Sequence, residues 1–186
     1  THNVGGEGAF GVWAAPWCGD PGDERKEGER PADLDPFEAL TVWAFDSCDV
    51  SAPSQAEVRT RAAQNLRLLE PVAVEREFAA RMLMDAGTPI AAGTFVEQLG
   101  KLEAEFARAN LVGYIHASAE LAALAFAERL VTISGSTMRT PAGHTWVFGG
   151  GYVDGLDRTL VATTPTYGWR DAVEVREAID DHHVNN

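Results

Sequence analysis

The chain has 186 residues, of which 45% are hydrophobic and 23% charged, a composition that excludes a wholly disordered polymer and gives one moderate domain or two small lobes. Its formal net charge of −13 argues against a surface built to grip phosphates, which needs clustered Lys and Arg. No apolar run reaches membrane-spanning length, since "ELAALAFAERLV" is broken by charge after about ten residues.

Residues 1–8 are Gly-rich and read as an arm or loop. Thr1 is not an initiator methionine, and no secretory leader pattern is read here. "AFGVWAAPWC" (9–18) reads as an apolar strand ended by Pro16, and "FEALTVWAFDSC" (37–48) as a second. Between them lies the charged, glycine-punctuated run "GDPGDERKEGER" (19–30), so the three together suggest a long hairpin with a polar tip. By composition alone that tip is a solvated loop; the sharper reading is an arm that lies across a neighbouring chain. Cys18 and Cys48 belong to no CxxC pair and read as reduced thiols of a cytoplasmic protein.

"PSQAE" (53–57) has capping-box form, Ser54 with Glu57, and predicts a helix over 54–86. Val58, Ala62, Leu66, Leu69 and Ala73, then Phe78, Met82 and Leu83, supply its apolar face; Gly87 and Pro89 end it. Glu57–Arg61 and Glu77–Arg81 are i,i+4 pairs on the wet side. Pro71 stands in the middle of this helix, where a proline costs about 3 kcal/mol. Either two helices meet there or one long helix bends.

"TFVE" (94–97) is a second capping box, and Phe95, Leu99, Leu102 and Phe106 form an apolar stripe behind it. The strand "LVGYIHA" (111–117) follows, then Ser118 as N-cap of a helix over 119–130. Short strands are expected at 130–134, 144–152, 159–164 and 172–179, with turns at Thr140–Gly143 and Asp154–Asp157. Strands first, then a long helix, then mixed short elements favour α+β over a doubly wound sheet.

No motif makes a convincing active site, and no cofactor or metal is expected. "FGGGYVDG" (148–155) lacks the order of a phosphate cradle and suits a bulge or a close backbone approach. In "DDHH" (180–183) neighbouring side chains point to opposite faces, which suits a solvated tail better than a chelate. His116 with Ser118 could be imagined as the centre of a small α+β hydrolase. No nucleophile elbow or orienting acid accompanies them, and His116 and His144 are read as hydrogen-bonded structural residues. Glu70, Glu75 and Glu77 crowd one helix on different faces and read as ion-pair partners across an interface rather than an acid–base pair.

Three stretches, in order, resemble the major capsid proteins of tailed phages that infect actinobacteria. They are "DPFEALTVWAFDSCDVSAPSQAEVRTRAAQNLRLLEPVAVEREF", "GYIHASAELAALAFAERLV…TPAGHTWVFGGGYV" and "YGWRDAVEVREAIDDHHVN", together covering residues 36 to 186. The resemblance implies the HK97-like α+β fold. An arm remnant and E-loop hairpin would occupy 1–50, and a P-domain spine helix 51–93. A compact A-domain would occupy 94–165, and a return strand to the P-domain 166–186. It implies a non-enzymatic structural subunit that self-assembles, as pentamers and hexamers, into an icosahedral shell enclosing double-stranded DNA in the virion. Assembly would take place in the host cytoplasm, without a membrane, and with scaffold, portal and decoration proteins as possible partners. An encapsulin-like compartment shell is the alternative with the same fold.

Inter-subunit contacts are expected at the hairpin aromatics Trp13, Trp17 and Trp43 and at the tip residues Asp23, Glu24, Arg25, Lys26 and Glu27. Some relatives cross-link a hairpin lysine to a neighbour's asparagine; Lys26 lies in that region, and no cross-link is inferred from it. Pro71 would set where the spine helix bends. The chain is short for the family, and relatives usually continue beyond "HHVNN".

Overall fold

The computed structural model describes residues 38–49 and 51–177. The elements in chain order are α1 (Ala52–Ala86), α2 (Phe95–Arg108), β1 (Tyr114–Ser118), α3 (Leu121–Ala127), β2 (Thr132–Ser134), β3 (Thr137–Arg139), β4 (Thr145–Gly149), α4 (Tyr152–Leu156) and β5 (Val161–Thr163). The class is α+β: one long helix and a mixed five-stranded sheet of order β2-β3-β4-β1-β5. β1 runs parallel to β4, and the remaining pairs are antiparallel.

Strand alternation divides the core between the two faces of the sheet. Ile115 and Ala117 of β1 and Trp146 of β4 point to one face, where they meet Leu99 and Phe106 of α2 and Leu121 of α3. His116 of β1 pairs in register with Val147 and Val161, and those two side chains join the opposite face. There they meet Ala79 and Met82 of α1 and Tyr152 and Leu156 of α4. The result is three layers: α2 and α3, the sheet, then α1 with α4.

The expected stripe of α2 is realised, with Leu99 and Phe106 buried and the Thr94–Glu97 capping box formed in both directions. Trp146 satisfies its buried indole N–H on the Leu130 carbonyl at 2.9 Å, so the largest core side chain leaves no orphan donor.

Several local expectations are corrected. The helix α1 starts at Ala52 behind Ser51, with Pro53 in its first turn, and Ser54 caps nothing. Its hydroxyl instead accepts from the Ser51 hydroxyl at 2.9 Å. Leu69 is exposed rather than on the covered face. Ser118 is the buried last residue of β1, not a cap; α3 begins later, behind Glu120. Asp154 lies in the short helix α4, not in a turn, and Asp157 ends that helix with a φ of 50°. β3 was not foreseen, because three residues carry too little pattern. His144 sits buried ahead of β4, stacked on Phe106 at 4.3 Å. The proposed strands 37–48 and 172–179 form no ladder among the described residues.

α1 is one unbroken helix of 35 residues passing through Pro71. Two shorter helices meeting at the proline are therefore excluded. Pro71 has no amide to offer the Arg67 carbonyl, so the helix crosses this point one hydrogen bond short.

Candidate functional site

At about 1.5 Å per residue, α1 extends about 50 Å. Only Ala79 and Met82 of its 35 residues are buried, both in the half after Pro71. A helix normally depends on packing along an apolar face, and among the described residues little packs on the half before Pro71.

What does flank it is two stretches of extended chain. The Arg81 guanidinium donates to the Glu38 carbonyl at 2.6 Å, and Arg61 holds Asp46 at 2.6 Å. Residues 38–46 therefore run antiparallel to α1, from its C-terminal end back toward its first turns. Eight residues of extended chain and twenty of helix both span about 27–30 Å, so the two rise together. Farther along the chain, Arg170 grips Glu70 through two bonds of 2.6 and 2.9 Å, and Arg59 meets Glu177 at 2.5 Å. Residues 170–177 run antiparallel to α1 as well. The two flanking stretches are thus parallel to each other.

The first stretch has the burial alternation of a strand without a ladder. Val42, Ala44 and Asp46 are half-covered, while Thr41, Trp43 and Phe45 face outward. Trp43 is 77% exposed and Phe45 74%. Tyr167 and Trp169, leading into the second stretch, are 82% and 81% exposed. Leu68 and Leu69, beside Pro71 on α1, are also exposed. Together these groups form an apolar surface that the described residues leave uncovered.

Electrostatics hold the flanks in place. The hydrogen bond from Arg61, helped by the Ser47 amide, keeps the Asp46 carboxyl below its usual range. The hydrogen bond from Arg170 does the same for Glu70. These pairs are solvent-exposed, so water and salt screen them and each contributes little to stability. Three acidic residues of α1, expected to pair across an interface, find partners within the chain. Glu70 pairs with Arg170, Glu75 accepts the Gly151 amide at 2.7 Å, and Glu77 pairs with Arg81 at 3.0 Å.

The glycine run proves to be the close approach of backbone that its composition suggested. A Cβ on Gly151 would stand 2.4 Å from the Val72 carbonyl, and one on Gly155 would stand 2.7 Å from the Ala79 side chain. These glycines let α4 and its preceding turn lie directly on α1, just after Pro71.

The rival centre at His116 and Ser118 has a different geometry. His116 is 3% exposed, with Nδ1 at 3.0 Å from the Tyr152 hydroxyl and Nε2 at 2.8 Å from the Thr163 hydroxyl. Burial lowers its pKa to about 4. Ser118 shares that face of β1, but its fully buried hydroxyl has no hydrogen-bond partner. The tyrosine and threonine hydroxyls thus occupy both ring nitrogens. A groove of about 370 Å³ lies elsewhere, between the start of α2, α3 and Arg158. Among the described residues no three His, Cys, Asp or Glu side chains are grouped to hold a metal ion, and no helix is long and apolar enough to cross a membrane.

Trp43, an expected contact residue, lies on the first flanking stretch, and Pro71, the expected bend, lies within α1; both are exposed. Trp13, Trp17, Asp23, Glu24, Arg25, Lys26 and Glu27 lie outside the described residues. Sequence reasoning did not find Tyr152 and Thr163 as partners of His116; nothing in their spacing announces a cross-sheet bond. No protein-family description, curated protein or solved structure matches the chain.

Proposed function

We propose that the chain is a structural subunit of a self-assembling icosahedral shell with an HK97-like fold, enclosing phage double-stranded DNA. The observation that carries this reading is the state of α1. A helix of 35 residues with two buried positions, flanked by extended segments that leave Trp43 and Phe45 uncovered, is an element made to be completed by neighbours. Closed shells supply such neighbours by repeating one interface through symmetry. In this reading α1 is the spine, residues 38–46 are the root of the hairpin arm, and residues 166–177 return along the spine. The ordered motif resemblance supports it, and a net charge of −13 suits an inner wall that must not adhere to nucleic acid. Pentamers and hexamers of the chain are the expected building blocks, and the reading assigns the chain no catalytic step.

Electron microscopy of particles purified from cells producing the chain with its associated proteins tests this. Closed shells protecting nuclease-resistant DNA are the expected result. Shells filled with protein cargo and no DNA would transfer the assignment to an encapsulin-like compartment, and the absence of shells would reject both.

A further inference from the structure

The joint between α1 and the sheet is small, and a histidine stands at its centre. Its core is Ala79, Met82, Tyr152, Leu156 and Val161, against eight buried residues on the other face of the sheet. His116 belongs to β1 through its backbone, but its ring projects into this smaller layer. Phe78 of α1 meets the ring edge-on with centroids 5.5 Å apart, Tyr152 of α4 bonds Nδ1, and Thr163 of β5 bonds Nε2. One imidazole thus touches α1, α4 and β5 at once.

The groups facing it offer little to balance a positive charge. From α1, Glu75 is held by the Gly151 amide, and Glu77 and Arg81 pair with each other. From α4, Asp154 pairs outward with Arg76. Tyr152 has its pKa raised to about 12, first by burial and then by Glu75, so it stays neutral. From β1, Tyr114 lies 6.3 Å from the ring, and from β4 and β5 the neighbours in register are Val147 and Val161. A protonated ring can donate from both nitrogens only by turning both hydroxyls into acceptors, and its charge stays buried with no carboxylate against it. The ring contacts Phe78 of α1 and Tyr152 of α4, so the cost of charging it falls on this layer rather than on the larger core of the far face.

We propose that His116 is a proton-sensitive latch that holds α1 and α4 on the sheet, so that acidification releases this layer while the α2–α3 side stays closed. The device is independent of whether the chain forms a shell.

Hydrogen exchange of the full chain at pH 7.5 and pH 4.5, corrected for intrinsic exchange, tests the latch. Amides of α1 after Val72 and of α4 should lose at least tenfold protection at the lower pH. Amides of Ile115 and Trp146 should keep theirs. His116→Gln, which retains a hydrogen-bonding side chain but cannot titrate in this range, should abolish the difference. Glu75→Gln should preserve it. Equal loss on both faces, or unchanged pH dependence in His116→Gln, would overturn the proposal. Should His116→Gln fail to fold, an NMR titration of the His116 ring in the parent chain decides. Ring protonation coincident with loss of α1 protection supports the latch, and a titration near the unperturbed value of about 6.5 with α1 protection unchanged contradicts it.

Discussion

The Gly151 amide donates to the Glu75 carboxylate at 2.7 Å, joining the turn after β4 to the middle of the long helix. The bond exists because Gly151 has no side chain: a Cβ there would meet the Val72 carbonyl at 2.4 Å and the Arg76 nitrogen at 2.8 Å. Backbone atoms of a helix cannot step aside. Gly151→Ala is therefore expected to destabilise the chain by about 1–3 kcal/mol, read from denaturant unfolding. Gly150→Ala is the control. Its nearest neighbour would be a Val72 methyl at 3.7 Å, so its effect should stay within about 0.5 kcal/mol. Equal effects at the two positions would remove the close-approach explanation.

Pro71 is expected to oppose stability and serve shape. Pro71→Ala restores the bond to the Arg67 carbonyl and should raise the unfolding free energy of the subunit by about 1–3 kcal/mol. If the proline sets the spine geometry for neighbours, the same substitution should lower particle yield. A stabilised subunit with normal particle yield would leave Pro71 without an assembly role.

Trp43 and Phe45 separate folding from association. Both face outward and contribute little within one chain. Trp43→Ser with Phe45→Ser should change subunit stability by less than about 1 kcal/mol, as is usual for surface positions. The double variant should nevertheless remain small in size-exclusion chromatography where the parent forms particles. Normal particles from the variant would show that this face meets no neighbour.

Stability should fall with acid through His116. Its pKa in the fold, about 4, lies below the unfolded value of 6.5, so the unfolded chain binds more protons between these limits. The contribution is complete above pH 6.5, is lost as pH falls from there to about 4, and changes no further below that. At about 1.4 kcal/mol per pKa unit, the loss is roughly 3 kcal/mol. Unfolding midpoints of the parent and His116→Gln across this range check it: the parent should lose stability more steeply than the variant.

Where the sequence carried a repeating signal, it was readable. α2 was legible because a capping box and the Leu99–Phe106 stripe agree, and the length of α1 followed from periodicity sustained up to Gly87. The unbroken passage of α1 through Pro71 was not decidable from residues, since a proline is compatible with a bend or a break. The start of α1 was misread because Ser51 and Ser54 are equally good caps on paper, and Pro53 suits the first turn only when the cap precedes it. The flanking segments illustrate a deeper limit. Their alternation was visible in Val42, Trp43 and Ala44, but alternation reports two faces, not a ladder partner. The His116–Tyr152–Thr163 contacts join three elements across 47 residues, a separation no local pattern encodes.

The central claim is that α1 and its flanks are completed by other copies of this chain. Light scattering on the purified chain at neutral pH measures it most directly. Discrete assemblies of megadalton mass are predicted, with capsomer-sized intermediates at low concentration. A single species at 20.0 kDa across all accessible concentrations would contradict the account.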